Sequence, residues 1–136
     1  MNIRSVLPLA LVMFLCLALL TGCNRSGGRV TTQGKVTFAG VPLEEGGMTF
    51  IPSGGSGASS GGVITAGAYT AEMMPGKYVV QITANRKTGK MLPVPPGEPP
   101  MEEYEQYIPA KYNTQSTLII DVESKSKQDF PFLLEQ

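Results

Sequence analysis

Hydrophobic and polar residues along this chain alternate with a period of two far more often than they recur with the period of a helix. In "VTTQGKVTF" the alternation sets Val30, Thr32, Gly34, Val36 and Phe38 on one side. "GGMTFIP" does the same with Met48 and Phe50. "VIT" and "AYTAE" read as two short strands meeting at Ala66-Gly67. "KYVVQITA" is the clearest strand, with Tyr78, Val80, Ile82 and Ala84 facing one way. Near the end, "TLIIDVE" turns Leu118, Ile120 and Val122 inward, and "DFPFLLE" turns Phe130, Phe132 and Leu134 inward. Part of 101–108 is the one stretch with a trace of helical period.

Seven short strands with turn signals between them predict an all-β domain, a seven-stranded Greek-key β-sandwich over residues 29–136. The same pattern also allows a small barrel. Gly40 and Pro42 break the chain after the first strand. "SGGSGASSGG", 53–62, reads as a flexible loop, because Gly and Ser bury nothing.

The opening of the chain follows a different rule. Arg4 gives a short basic start, and Val6 to Leu20 carry no charge over fifteen residues. A spanning helix needs about 20 apolar residues, so this run suits the helix of a signal peptide over 1–22. It is apolar on every face, which argues against an amphipathic core helix.

"LTGC" follows directly. Leu20, Thr21, Gly22 and Cys23 resemble the lipobox of bacterial lipoproteins: an aliphatic residue, a small one, Gly or Ala, then Cys. The resemblance implies that Leu20, Thr21 and Gly22 are read by the signal peptidase. It also implies that Cys23 carries diacylglycerol and that its new amino terminus is acylated. Two or more acyl chains anchor a protein stably where one does not. Asn24, rather than Asp, comes next. In enteric bacteria that pattern implies the outer membrane, so the expected address is the bacterial cell envelope. Residues 23–28 would form a tether of about 20 Å at most.

Composition narrows the chemistry. The 136 residues carry 11 basic and 11 acidic side chains, a net charge of zero that leaves no electrostatic case for nucleic acid or for an anionic membrane surface. The cysteines are Cys16 and Cys23, and Cys16 lies inside the apolar run, so no disulfide framework fits the processed chain. Histidine is absent. That removes Ser-His-Asp and Cys-His catalysis and the commonest transition-metal ligand. Neither Ser56 nor Ser60 fits a G-x-S-x-G elbow, and no lysine follows as a phosphate loop requires. No catalytic residue, cofactor or metal site is therefore assigned, and the covalent lipid on Cys23 is the only expected attachment.

"GKVTFAGVPLEEGGMTFIP", "GGVITAGAYTAEMMPGKYVVQITA" and "IPAKYNTQSTLIIDVESKSKQDFPFLL" resemble the carboxypeptidase regulatory-like, or transthyretin-like (prealbumin-like), domains of small planctomycete-type lipoproteins. The resemblance covers about 34–134 and implies a sandwich without an activity of its own. The enzymes of that general fold need histidines. "TAGAYTAEM" departs from the Asp-Gly turn common in the family, so the hairpin at Ala66-Gly67 is expected to differ.

Residues 85–116 separate two strong strands by thirty-two residues, far more than an ordinary connection. The segment starts basic (Arg86, Lys87, Lys90), passes through "LPVPPGEPP", and turns acidic at Glu102, Glu103 and Glu105. Opposite charge on its two legs could fold it back on itself. Tyr104, Tyr107 and Tyr112 are the candidate interaction residues, offering contact area at low conformational cost. Three readings of the segment follow: a loop binding an envelope protein or glycan, a calcium site built on its carboxylates, or a cover for a sheet edge.

Overall fold

The computed structural model describes residues 28–136. Leu20, Thr21, Gly22 and Cys23, with the signal peptide and most of the tether, lie outside the described residues. What is described is nearly all β: β1 (Val30–Phe38), β2 (Val41–Pro42), β3 (Glu45–Pro52), β4 (Ser60–Thr65), β5 (Ala68–Met73), β6 (Gly76–Thr83), β7 (Asn85–Leu92), β8 (Met101–Gln106), β9 (Ile119–Val122), β10 (Lys127–Asp129) and β11 (Phe132–Leu134). A single 3₁₀ turn, Ala110–Tyr112, precedes β9. Among the described residues no helix is long and apolar enough to cross a membrane.

The main sheet runs β10-β1-β5-β4-β3-β6-β9, antiparallel except where β10 joins β1. It curls until its two edge strands are linked by the four residues 123–126. At that link the Gln128 side chain donates to the Glu123 carbonyl at 2.6 Å and accepts from its amide at 3.2 Å.

β1 is the strand on which everything meets. Its first half lies between β5 and the parallel β10, and its second half lies between β2 and the parallel β11. The C-terminal strand keeps one register, Gln33 opposite Asp129 and Val36 opposite Phe132, and is interrupted at Phe130-Pro131. Proline has no N–H to continue the ladder, which divides the expected strand in two.

The period of two is met almost residue for residue. Val30, Thr32 and Val36 are buried, as are Met48 and Phe50, Tyr78 through Ala84 at alternate positions, Ile120 and Val122, and Phe132 and Leu134. The core centres on Tyr69, whose ring lies 6.1 Å from Phe50 and 5.9 Å from Phe132. Buried polar groups find partners. Thr32 Oγ1 donates to the Ala71 carbonyl at 3.2 Å, and the Tyr69 hydroxyl donates to the Phe130 carbonyl at 3.0 Å.

Two Ala-Gly pairs make the two-residue hairpins. Ala39 and Gly40 have φ of 50° and 81° between the paired Phe38 and Val41. Ala66 and Gly67 have φ of 49° and 73° between Thr65 and Ala68. Positive φ at both central positions is the signature of the type I′ turn, whose twist matches the flanking strands. The hairpin at Ala66-Gly67 thus forms without the expected Asp, with an alanine held in a left-handed conformation. The Gly67 amide and carbonyl are tied to Leu43 O and Val36 N, both at 2.9 Å, locking this tip to β1 and the link between β2 and β3.

Candidate functional site

The segment 85–116 is not a loop. Its first two-thirds is a second, two-stranded sheet of β7 and β8, which pair only with each other. Residues 101–106, where a helical period was faintly legible, are a strand. At about 3.3 Å per residue the eight residues of β7 make an arm roughly 26 Å long. Its tip is the proline-rich 93–100, where the Glu98 amide closes a turn on the Pro95 carbonyl at 3.2 Å.

The opposed charges do fold the segment back. Arg86 Nε meets Glu105 Oε1 at 2.6 Å, and Lys87 Nζ is paired with Glu102. Thr88 Oγ1 donates to Glu103 Oε2 at 2.6 Å. Hydrogen bonding from Lys87 holds the Glu102 carboxyl below the usual carboxylate range, and the same bond raises the Lys87 ammonium. All these side chains are solvent-exposed or nearly so, hence the pairs set the strand alignment and add little stability. All three glutamates are thereby engaged across the hairpin. Among the described residues no group of three acidic, His or Cys side chains is placed to hold a metal ion.

The pleat sorts the arm into two faces. Asn85, Lys87, Met91, Glu102, Tyr104 and Gln106 share one, while Arg86, Leu92, Met101 and Glu105 share the other. A register shift between Lys87 and Met91 puts a bulge in β7. Bulges and charged edges of this kind discourage addition of a further strand, so the arm offers side chains rather than an open ladder. Those side chains include large apolar ones in water: Met91 (57% exposed), Met101 (55%), Tyr104 (56%) and Leu92 (40%).

The three candidate tyrosines are not brought together. Tyr104 is the one presented on the arm. Tyr107 is half-buried at the arm's base, edge-on to Phe38 with centroids 5.7 Å apart and the Arg86 guanidinium 5.3 Å from its own ring centre. Tyr112 is also half-buried, and its hydroxyl accepts from the Glu135 amide at 2.9 Å, fastening the chain end. The base is secured further by Ile108, which is buried, and by the buried Asn113 amide, which donates to the carbonyls of Ile108 (2.9 Å) and Pro109 (3.2 Å). Sequence reasoning missed Met91, Leu92 and Met101. Their signal was apolar residues flanking a proline-rich turn, which defines a hairpin tip once the charges are paired.

Arm and chain start lie at opposite ends of the domain. β1 begins beside the β5–β6 turn, where a side chain on Gly28 would touch Met74. β6 runs from that turn to Ala84, and the arm departs there. A groove of about 440 Å³ is lined by Tyr104 together with Gly46, Gly47, Thr65, Thr83 and Asn85. Comparison of the chain with family models and with curated proteins found no match.

Proposed function

We propose that this chain is a non-enzymatic, lipid-anchored protein of the bacterial cell envelope, a structural or protein-interaction module that docks partners through the β7–β8 arm. The observation that carries this reading is the arm itself. A two-stranded hairpin that pairs only with itself is marginal in water, and this one exposes Met91, Leu92, Met101 and Tyr104. Met91 and Tyr104 lie on one face of the hairpin and Leu92 and Met101 on the other, and large apolar side chains left in water on both faces support reading the arm as a contact element. The curl of the main sheet, and β1 lying between β5 and the C-terminal strand, support reading the domain as the seven-stranded Greek-key sandwich of transthyretin-like domains, with the arm as an insertion between β6 and β9. The lipobox resemblance at Leu20–Cys23 and the resemblance to planctomycete-type lipoproteins supply the anchor and the address.

The test is to join Lys87 to Tyr104 through Asn-Gly, replacing 88–103 with a two-residue turn where those strands are already paired. Crosslinked partners recovered from membranes should be lost with the shortened arm while the domain stays folded; an unchanged partner set would make the arm structural cover. For the anchor, Cys23→Ala should abolish acyl labelling and leave the precursor unprocessed. A second reading, a glycan-binding role, is favoured by the groove that Tyr104 lines together with Gly46, Gly47, Thr65, Thr83 and Asn85. Glycan-array binding that disappears in Tyr104→Ala would establish it. Nothing in the carboxylate geometry favours the calcium alternative.

A further inference from the structure

A cavity of about 680 Å³ lies at the opposite end from the arm. It is built by the serine- and glycine-rich β3–β4 connection and the β5–β6 turn. Ser53, Ser56 and Ser59 line it together with Arg29, Lys77 and a single acid, Glu72. Among the described residues neither Arg29 nor Lys77 takes part in an ion pair, so both cations are available to a ligand. Two cations, several hydroxyls and a backbone approachable because its loop lacks bulky side chains supply the donor set that phosphate oxygens accept from.

Its place in the molecule selects the source of that anion. Arg29 is the residue just before β1, and Met74, 50% exposed, forms an apolar lip next to Gly28. On the lipid-anchor reading, on which this inference rests, only Asn24 to Gly28 separate Cys23 from the mouth of the cavity. Five extended residues span at most about 18 Å. The cavity is then held at the headgroup layer, with Met74 and Pro75 facing the bilayer surface. We propose that this cavity receives the phosphate of an anionic lipid headgroup, with Arg29 and Lys77 as its charge partners, and so orients the domain with its arm pointing away from the membrane.

The experiment uses the full chain in neutral detergent micelles, reading backbone amide shifts by NMR. Phosphatidylglycerol, phosphatidylcholine and inorganic phosphate are titrated separately. Phosphatidylglycerol should give saturable shifts at Arg29, Ser56, Gly57 and Lys77, and the response should weaken as salt rises. The double variant Arg29→Gln/Lys77→Gln should lower the apparent affinity at least tenfold with the rest of the spectrum unchanged. Both residues are exposed, so the fold should survive the change. Equal responses to the two lipids, or none, would overturn the proposal. A response to inorganic phosphate that phosphatidylglycerol does not reproduce would also overturn it, by assigning the cavity to a free anion. The readout does not depend on acylation of Cys23, so failure here and failure of the Cys23→Ala labelling test are separate results.

Discussion

Replacing Gly34 with alanine should destabilise the domain through one contact. Gly34 lies in β1 opposite Tyr69, on the inward side between Thr32 and Val36. A β-carbon there would fall 2.2 Å from the Phe130 carbonyl oxygen and 2.7 Å from its carbon. That carbonyl leans over the glycine to accept the Tyr69 hydroxyl at 3.0 Å, while the Phe130 amide donates to Gln33 O at 2.8 Å. Relief requires the C-terminal strand to retreat by about 1 Å, which takes both hydrogen bonds out of range at about 1 kcal/mol each. Loosened packing around Phe132 adds about 1–2 kcal/mol. Full detachment, uncovering Phe132 and Leu134, would cost about 3–6 kcal/mol, so the smaller retreat is the expected response. The better strand propensity of alanine offsets about 0.5–1 kcal/mol. The net loss is about 2–3.5 kcal/mol, a large share of a small domain's stability. Urea denaturation followed by tyrosine fluorescence measures it. The Tyr69→Phe change should cost about 1 kcal/mol less in the Gly34→Ala background than alone, since its bond is already gone. A Gly34→Ala loss under about 0.5 kcal/mol, or strict additivity with Tyr69→Phe, would refute the reasoning.

Ala66→Asn should raise stability by about 0.5–1 kcal/mol in the same assay, because asparagine tolerates the left-handed conformation that alanine is forced into at φ 49°. Burial, and then the charge of Asp129, push the Tyr69 phenol above its ordinary value near 10. The stability tied to that shift is fully present below about pH 10 and is lost as pH rises through the raised value. The stability difference between the native protein and Tyr69→Phe should therefore shrink in urea melts above pH 10. In the arm, the Glu102 carboxyl lowered by Lys87 contributes above the ordinary carboxylate range and is lost as pH falls through the lowered value. Protection of the Tyr104 amide against exchange, measured relative to its intrinsic rate at each pH, should fall in acid and in high salt, and Glu102→Gln should remove both dependences.

The main sheet was legible because its signal is local. β1, β3, β5, β6 and β9 each bury alternate side chains, and the alternation stands in the sequence as written. β4 is the exception, because Ser60, Gly61 and Gly62, expected within the flexible loop 53–62, pair with Phe50, Thr49 and Met48 of β3 through backbone hydrogen bonding that composition does not show. The C-terminal strand was legible in its facing but not in its break, since Pro131 acts through a missing ladder bond that depends on which strand lies alongside. The arm was the opposite case. Its strands bury almost nothing, so periodicity carried no information, and β8 even imitated a helical spacing. What identified it was charge, basic on one leg and acidic on the other, and that signal gave the fold-back without its hydrogen bonds. The candidate tyrosines were grouped by proximity in sequence. The structure separates them because Tyr107 and Tyr112 stand past the arm's base, where Phe38 and the Glu135 amide claim them.

The position of β1 connects these observations. A strand that follows a tether is commonly placed at a sheet edge, where it frays, yet β1 is hydrogen-bonded on both sides from Thr31 to Gln33 and again at Thr37 and Phe38. Any pull delivered through Gly28 runs along β1 and loads its flanking ladders in shear, many bonds at once, instead of opening them one by one. The C-terminal strand completes that clamp, and Gly34 is the residue that lets it approach. The arm bears none of this load. It leaves from the far end of β6, aligned by exposed ion pairs, and its opening costs the core nothing. A domain built in this way is stiff at Gly28 and yielding at the arm, which is the arrangement the proposed tethered docking module would require.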